Sequence, residues 1–175
     1  TSEGEPGSFF NYSPRYSLLT KIIEQVTNEP FIEHLKGPTL YPSEMTDTYA
    51  MVGQSVVERL GDRLAKPYTY YGKTEPGHYD LGLSASSGIA ATAKDISKFA
   101  NALMSEKIVS KEKFKRMSTP FETTVGTSPY GLGMFTQTFM GKKLIWAYGQ
   151  EDCFSSLLLM VPEDGLTLTL LANSN

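Results

Sequence analysis

Cysteine is almost missing from this chain of 175 residues: Cys153 is the only one. A lone thiol forms neither an internal disulfide nor a thiolate metal cluster, so a disulfide-stapled mini-protein and a zinc ribbon are excluded. Histidine is nearly as scarce. His34 and His78 stand far apart, which gives no His-rich metal site. No metal and no cofactor is expected. Charge of one sign is also lacking, since 16 basic against 19 acidic residues leave −3 and no basic run occurs. Nucleic acid is therefore not an expected partner. No apolar run approaches the ~18 residues of a membrane span. Internal repeats and low-complexity tracts are absent. What is present is 40% apolar residues in a chain long enough to bury a core unaided. The length fits one domain, or one domain plus a piece of another.

Helix signals come first along the chain. Ser13 is a good N-cap and Pro14 suits the first helical position. Leu18, Leu19, Ile22, Ile23 and Val26 then form one apolar stripe. Asn28 suits a left-handed stop, and Pro30 opens a short helix carrying Phe31, Ile32 and Leu35. Proline and glycine cut 37–90 into turns and short pieces. There 52–64 reads equally as a short helix or a strand with a turn. Thr92 and Asp95 have capping spacing, ahead of a face made of Ile96, Phe99, Ala100, Leu103 and Met104. A further short helix starts at Ser110.

After Pro129 the period changes. Residues 130–139 read as strand, with Gly131 and Gly133 marking a bulge or close backbone approach. Residues 143–147, 154–161 and 166–172 read as three more strands, the last two joined by the turn Pro162-Glu163-Asp164-Gly165. In 166–172 threonine alternates with leucine, as in a half-exposed strand. The expected fold class is α+β: an antiparallel sheet of the C-terminal strands packed with helices. The expected division is 1–128, mostly helix and loop, and 129–175, the strand meander, together a fragment of one domain. Both ends read as cut, since the chain stops directly after an apolar strand. An exposed sheet edge and an uncovered apolar face would then favour a homo-oligomer or strand exchange.

Three stretches resemble one family. They are Pro6-Gly7-Ser8-Phe9-Phe10-Asn11-Tyr12-Ser13 with Tyr16 and Leu18-Leu19; Gly88 to Ile96 with Phe99; and Tyr130-Gly131-Leu132-Gly133, Tyr148-Gly149-Gln150 and Phe154 to Ser174. In order and spacing they resemble the serine β-lactamases of class C and their penicillin-binding and esterase relatives. The resemblance implies part of a β-lactamase/transpeptidase-like fold. It also implies a serine nucleophile activated by lysine in Ser-x-x-Lys, a tyrosine that relays protons, and a Lys-Thr-Gly or His-x-Gly motif on a strand beside the substrate. Acyl transfer needs those parts, because a hydroxyl is a weak nucleophile without a base in reach. The tetrahedral oxyanion needs N–H donors fixed beforehand.

On this resemblance Tyr12 falls on the catalytic tyrosine. The asparagine that follows it in the family is replaced by Pro14, and Asn11 offers an amide from the other side. The third motif falls on Ala147-Tyr148-Gly149, so alanine stands where the family has lysine or histidine. Tyr148 and Gly149 are the candidate substrate-binding residues, Tyr148 through its hydroxyl or merely as a strand-edge ring. The backbone N–H of Gln150 matches the oxyanion donor. Ser110-Lys111-Glu112-Lys113 has the Ser-x-x-Lys spacing but lies at a surface helix start, so Ser110 is read as an N-cap. Ser86-Ser87-Gly88 is read as a turn, His34 as a surface residue, and Cys153 as a small buried hydrophobe.

The expectation is therefore part of a serine hydrolase acting on an amide or ester (β-lactam, D-amino-acid peptide or small ester) through an acyl-serine, with the nucleophile segment outside this chain. The alternative is a catalytically impaired module that binds a peptide or cell-wall fragment. The partner is a small-molecule or peptide substrate. The resemblance implies a periplasmic or extracellular place, although some relatives are cytoplasmic.

Overall fold

The computed structural model describes residues 4–69, 71–75 and 79–174. His78 and the Pro76-Gly77 turn lie outside them. Ser13 caps as its position predicts: its hydroxyl accepts the Arg15 N–H at 3.3 Å, over a 3-10 turn at Pro14–Ser17. The chain passes directly into α1 (Leu18–Thr27), which ends at Asn28 with φ 55°, the left-handed stop. After Pro30 come α2 (Phe31–Leu35) and a wide π-type turn at Lys36–Leu40.

The region that sequence left open contains β1 (Thr48–Ala50), α3 (Gln54–Leu60) and β2 (Ile89–Ala91), with β1 and β2 antiparallel. The choice at 52–64 falls to helix because Val56 and Leu60, one turn apart, bury together against Met51.

At the start of α4 (Ala93–Met104) the Thr92 hydroxyl accepts the Asp95 N–H at 3.1 Å. The Asp95 carboxylate does not turn back to the cap. It accepts the Asp47 N–H at 2.6 Å, the Thr48 hydroxyl at 3.0 Å and the Lys98 ammonium at 2.8 Å. Burial alone would raise its pKa. These hydrogen bonds and the Lys98 charge outweigh burial and hold it below the ordinary 3.8. Asp95 thereby ties α4 to the entry of β1. Next come α5 (Lys111–Met117) and a small hairpin of β3 (Glu122–Thr123) and β4 (Gly126–Thr127).

The chain closes with an antiparallel meander in sequential order: β5 (Phe135–Phe139), β6 (Lys142–Glu151), β7 (Phe154–Val161) and β8 (Leu166–Ala172). With α4 packed on one face, the fold class is α+β as expected. Ala100 and Leu103 of α4 pack with Met134, Ile145 and Met160. Two strand limits differ from expectation by more than one residue. β5 begins at Phe135 rather than Tyr130, because Gly131 lies against the end of α5. A Cβ there would stand 2.0 Å from the Met117 carbonyl oxygen. β6 runs on to Glu151 instead of stopping at Ala147.

Register sorts the sheet into two faces. The cross-strand row Ile145, Met160, Thr167 faces α4, and the row Trp146, Leu159, Leu168 faces away. On β8 it is the threonines that meet the helix, with Thr169 hydrogen-bonded to Ser97 at 3.0 Å. Leu166, Leu168 and Leu170 lie on the opposite face and are exposed among the described residues.

Candidate active site

Tyr12 lies in the loop before the first helical turn. Its ring stacks on Phe135 (5.7 Å between centroids, 29° between planes) and on Tyr148 (5.9 Å, 19°), and meets Tyr130 edge-on at 5.8 Å. Tyr12 and Tyr148, far apart in sequence, are thus brought to one place. Phe135 itself stacks on Trp146 across the β5–β6 pair at 4.4 Å and 15°. Aromatic pairs in such arrangements contribute about 0.5–1.5 kcal/mol each beyond area burial. This cluster is what holds the loop against the sheet.

Strand register explains why the cluster sits there. The β5–β6 ladder runs from Phe139↔Lys142 to Phe135↔Trp146. Beyond Trp146, β6 pairs with β7 alone, so 147–151 overhang with no strand on the β5 side among the described residues. Tyr148, Gly149 and Gln150 all belong to this overhang, and Tyr12 covers its beginning. At Gly149 a Cβ would stand 2.7 Å from the Ser156 hydroxyl on its β7 partner, a contact that rotation of the serine side chain relieves.

Every influence on the Tyr12 hydroxyl raises its pKa above 10.0: burial first, then Tyr148 and Tyr16. Tyr130, buried beneath, is pushed further the same way by burial and then by Tyr16, Tyr12 and Tyr148. Tyr12 is therefore a neutral phenol at pH 7, able to donate or pass a proton. To act as a base it would need a cation brought to its hydroxyl.

The remaining candidates fall to structural roles. The Ser110 hydroxyl accepts the Lys113 N–H at 3.3 Å as the N-cap of α5. The Ser84 hydroxyl accepts the N–H groups of Ser86 and Ser87, each at 3.2 Å, which makes Ser86-Ser87-Gly88 a closed turn. Cys153 is fully buried, and burial raises its thiol pKa, the direction of an inert cysteine. His34 sits on α2. Among the described residues no group of three or more His, Cys, Asp or Glu could hold a metal, and no helix is long and apolar enough to cross a membrane. Phe135 and Trp146 carry no motif in the sequence, and Tyr16 and Tyr130 stand there only within the family resemblance. The spacing of Trp146 and Tyr148, two apart on one strand, was the available signal for a shared aromatic face.

The Beta-lactamase family model matches residues 2–175. The chain belongs to this family. It is similar to a putative penicillin-binding protein, PbpX, of Bacillus subtilis (strain 168), at 28% identity over 75% of this chain and 32% of that protein. Among solved structures it is similar to the octameric penicillin-binding protein homologue of Pyrococcus abyssi, with TM-score 0.85 and 28% identity over 98% of this chain and 40% of that one. It is also similar to the D-amino acid amidase of Ochrobactrum anthropi SV3, with TM-score 0.75 and 26% identity over 98% of this chain and 52% of that one. The chain spans about a third of the length of the curated relatives it matches. Its fold is thus that of a β-lactamase-like serine hydrolase.

Proposed function

We propose that this chain is part of a serine hydrolase that cleaves an amide or ester through an acyl-serine, with the reacting serine and its lysine supplied by polypeptide outside these 175 residues. The observation that carries this reading is the stacking of Tyr12 on Tyr148 at the β6 overhang, which sets a proton-relay phenol beside a strand edge suited to a carbonyl. In the proposed reaction the serine oxygen attacks the carbonyl carbon and its proton passes to the base. Charge on the carbonyl oxygen is met by the Gln150 N–H. The Tyr12 hydroxyl relays the proton to the departing amine or alcohol as that bond breaks. Water then cleaves the acyl-serine by the same route.

A phenol with a raised pKa fits the donor half of this cycle. A lysine ammonium beside Tyr12 would supply the cation that its base half requires. The relatives named above are penicillin-binding proteins and a D-amino acid amidase, which favours amide substrates, and an exported location suits such a protein. The octameric homologue favours self-association. Turnover of p-nitrophenyl acetate by the isolated chain at enzyme-like rates, abolished by Ser110→Ala, would contradict the reading. The reading expects no such turnover.

One observation favours a second reading. Ala147 and Pro14 replace two polar groups of the family pattern, as in a module that binds a peptide or cell-wall fragment without cleaving it. Saturable binding of a cell-wall peptide by the intact protein, with no covalent adduct and no cleavage, would select this alternative.

A further inference from the structure

We infer that the ring of Tyr148, rather than its hydroxyl, selects the substrate, and that the cleft takes amides or esters bearing an aryl group beside the scissile carbonyl. This rests on the hydrolase reading above and narrows it.

Two observations converge. The third motif presents a methyl group at Ala147 and a phenol ring at Tyr148, so its side chains offer no cation to an anionic substrate group. The rings of Tyr148 and Tyr12 lie nearly parallel, 19° apart, and are braced by neighbouring rings. Phe135 stands 5.9 Å and Trp146 6.1 Å from Tyr148. Within these 175 residues, despite those contacts, Tyr12 is 51% exposed and Tyr148 45% exposed. A rigid aromatic platform with half its surface open, at the motif that flanks the carbonyl, suits a planar apolar group. Braced rings lose little freedom when a ligand stacks on them, so the preference is expressed in binding.

The test compares the intact protein on ethyl phenylacetate and ethyl cyclohexylacetate, which match in bulk and differ in the π face. Phenylacetate is expected to be preferred in kcat/KM by roughly two- to twelvefold, the worth of one stacked ring. Tyr148→Phe keeps that preference, and Tyr148→Leu brings the ratio to about one. Loss of the preference in Tyr148→Phe, or its survival in Tyr148→Leu, overturns the inference. A second readout needs no turnover. Trp146, the sole tryptophan of these 175 residues, lies 6.1 Å from Tyr148, so the part of the emission that Trp146→Phe removes reports on Tyr148. Phenylacetamide should quench it saturably in the parent protein and in Tyr148→Phe but not in Tyr148→Leu. Quenching that is equal in all three also overturns the inference. If no ester is hydrolysed but this pattern of quenching is seen, the aryl site stands and the hydrolase reading falls.

Discussion

Tyr12 is held by its ring, through Phe135, Tyr130 and Tyr148, and this separates what its ring does from what its hydroxyl does. Tyr12→Phe keeps the stack and removes the proton relay. In the intact protein it should lower kcat by roughly 10²–10⁴-fold, the ordinary worth of a positioned acid or base. Thermal unfolding should shift by no more than a surface substitution, within about 0.5 kcal/mol. Activity that survives in Tyr12→Phe would remove Tyr12 from the mechanism. Both tyrosines were legible in the sequence because each sits in a short motif. Their contact was not, because it depends on where β5 stops along β6, and that depends on Gly131 turning the chain onto α5.

At the scale of elements, Asp95 gives the clearest case of a local signal with a tertiary use. Its spacing from Thr92 announces a helix start, and the structure confirms the cap. Its carboxylate is spent on Asp47 and Thr48, which no periodicity could reveal. Asp95→Asn should cost about 1–3 kcal/mol, the penalty for disturbing buried hydrogen bonds. Because the folded pKa lies below the ordinary 3.8, Asp95 contributes stability above that value and loses it as pH falls toward the folded pKa. Urea melts through this acid range should show the loss in the parent chain and a flatter profile in Asp95→Asn. Gly131→Ala should cost about 3 kcal/mol, since a Cβ meets the Met117 carbonyl head-on and backbone cannot rotate aside. An unchanged denaturation midpoint would show that this turn can relax. The long helices and the four-stranded meander were readable from period alone. The short elements in 37–90 were not, because three-residue strands carry too little pattern and owe their shape to burial around Met51, Val56 and Leu60.

For the whole molecule, the sheet is apolar on both faces while α4 covers one of them. Leu166, Leu168 and Leu170 leave a leucine row open on β8. Open rows of this kind drive association, so the isolated 175-residue chain should self-associate in light scattering as its concentration rises. Lysine at positions 168 and 170 should reduce that association, and a clean monomer throughout would contradict it. The aromatic cluster also sets an alkaline limit. Tyr130 has its pKa raised on folding, so its stabilisation is present below about pH 10 and is lost as pH climbs beyond the unfolded value. Tyr130→Phe should flatten that alkaline decline in urea melts. The central proposal joins these scales: that Tyr12 and the β6 overhang flank a reactive serine carried by other polypeptide. Its most direct test is to label the intact protein with a fluorophosphonate and map the modified peptide by mass spectrometry. The account predicts one adduct, on a serine outside these 175 residues; an adduct on Ser110, Ser86 or Ser87 would contradict it.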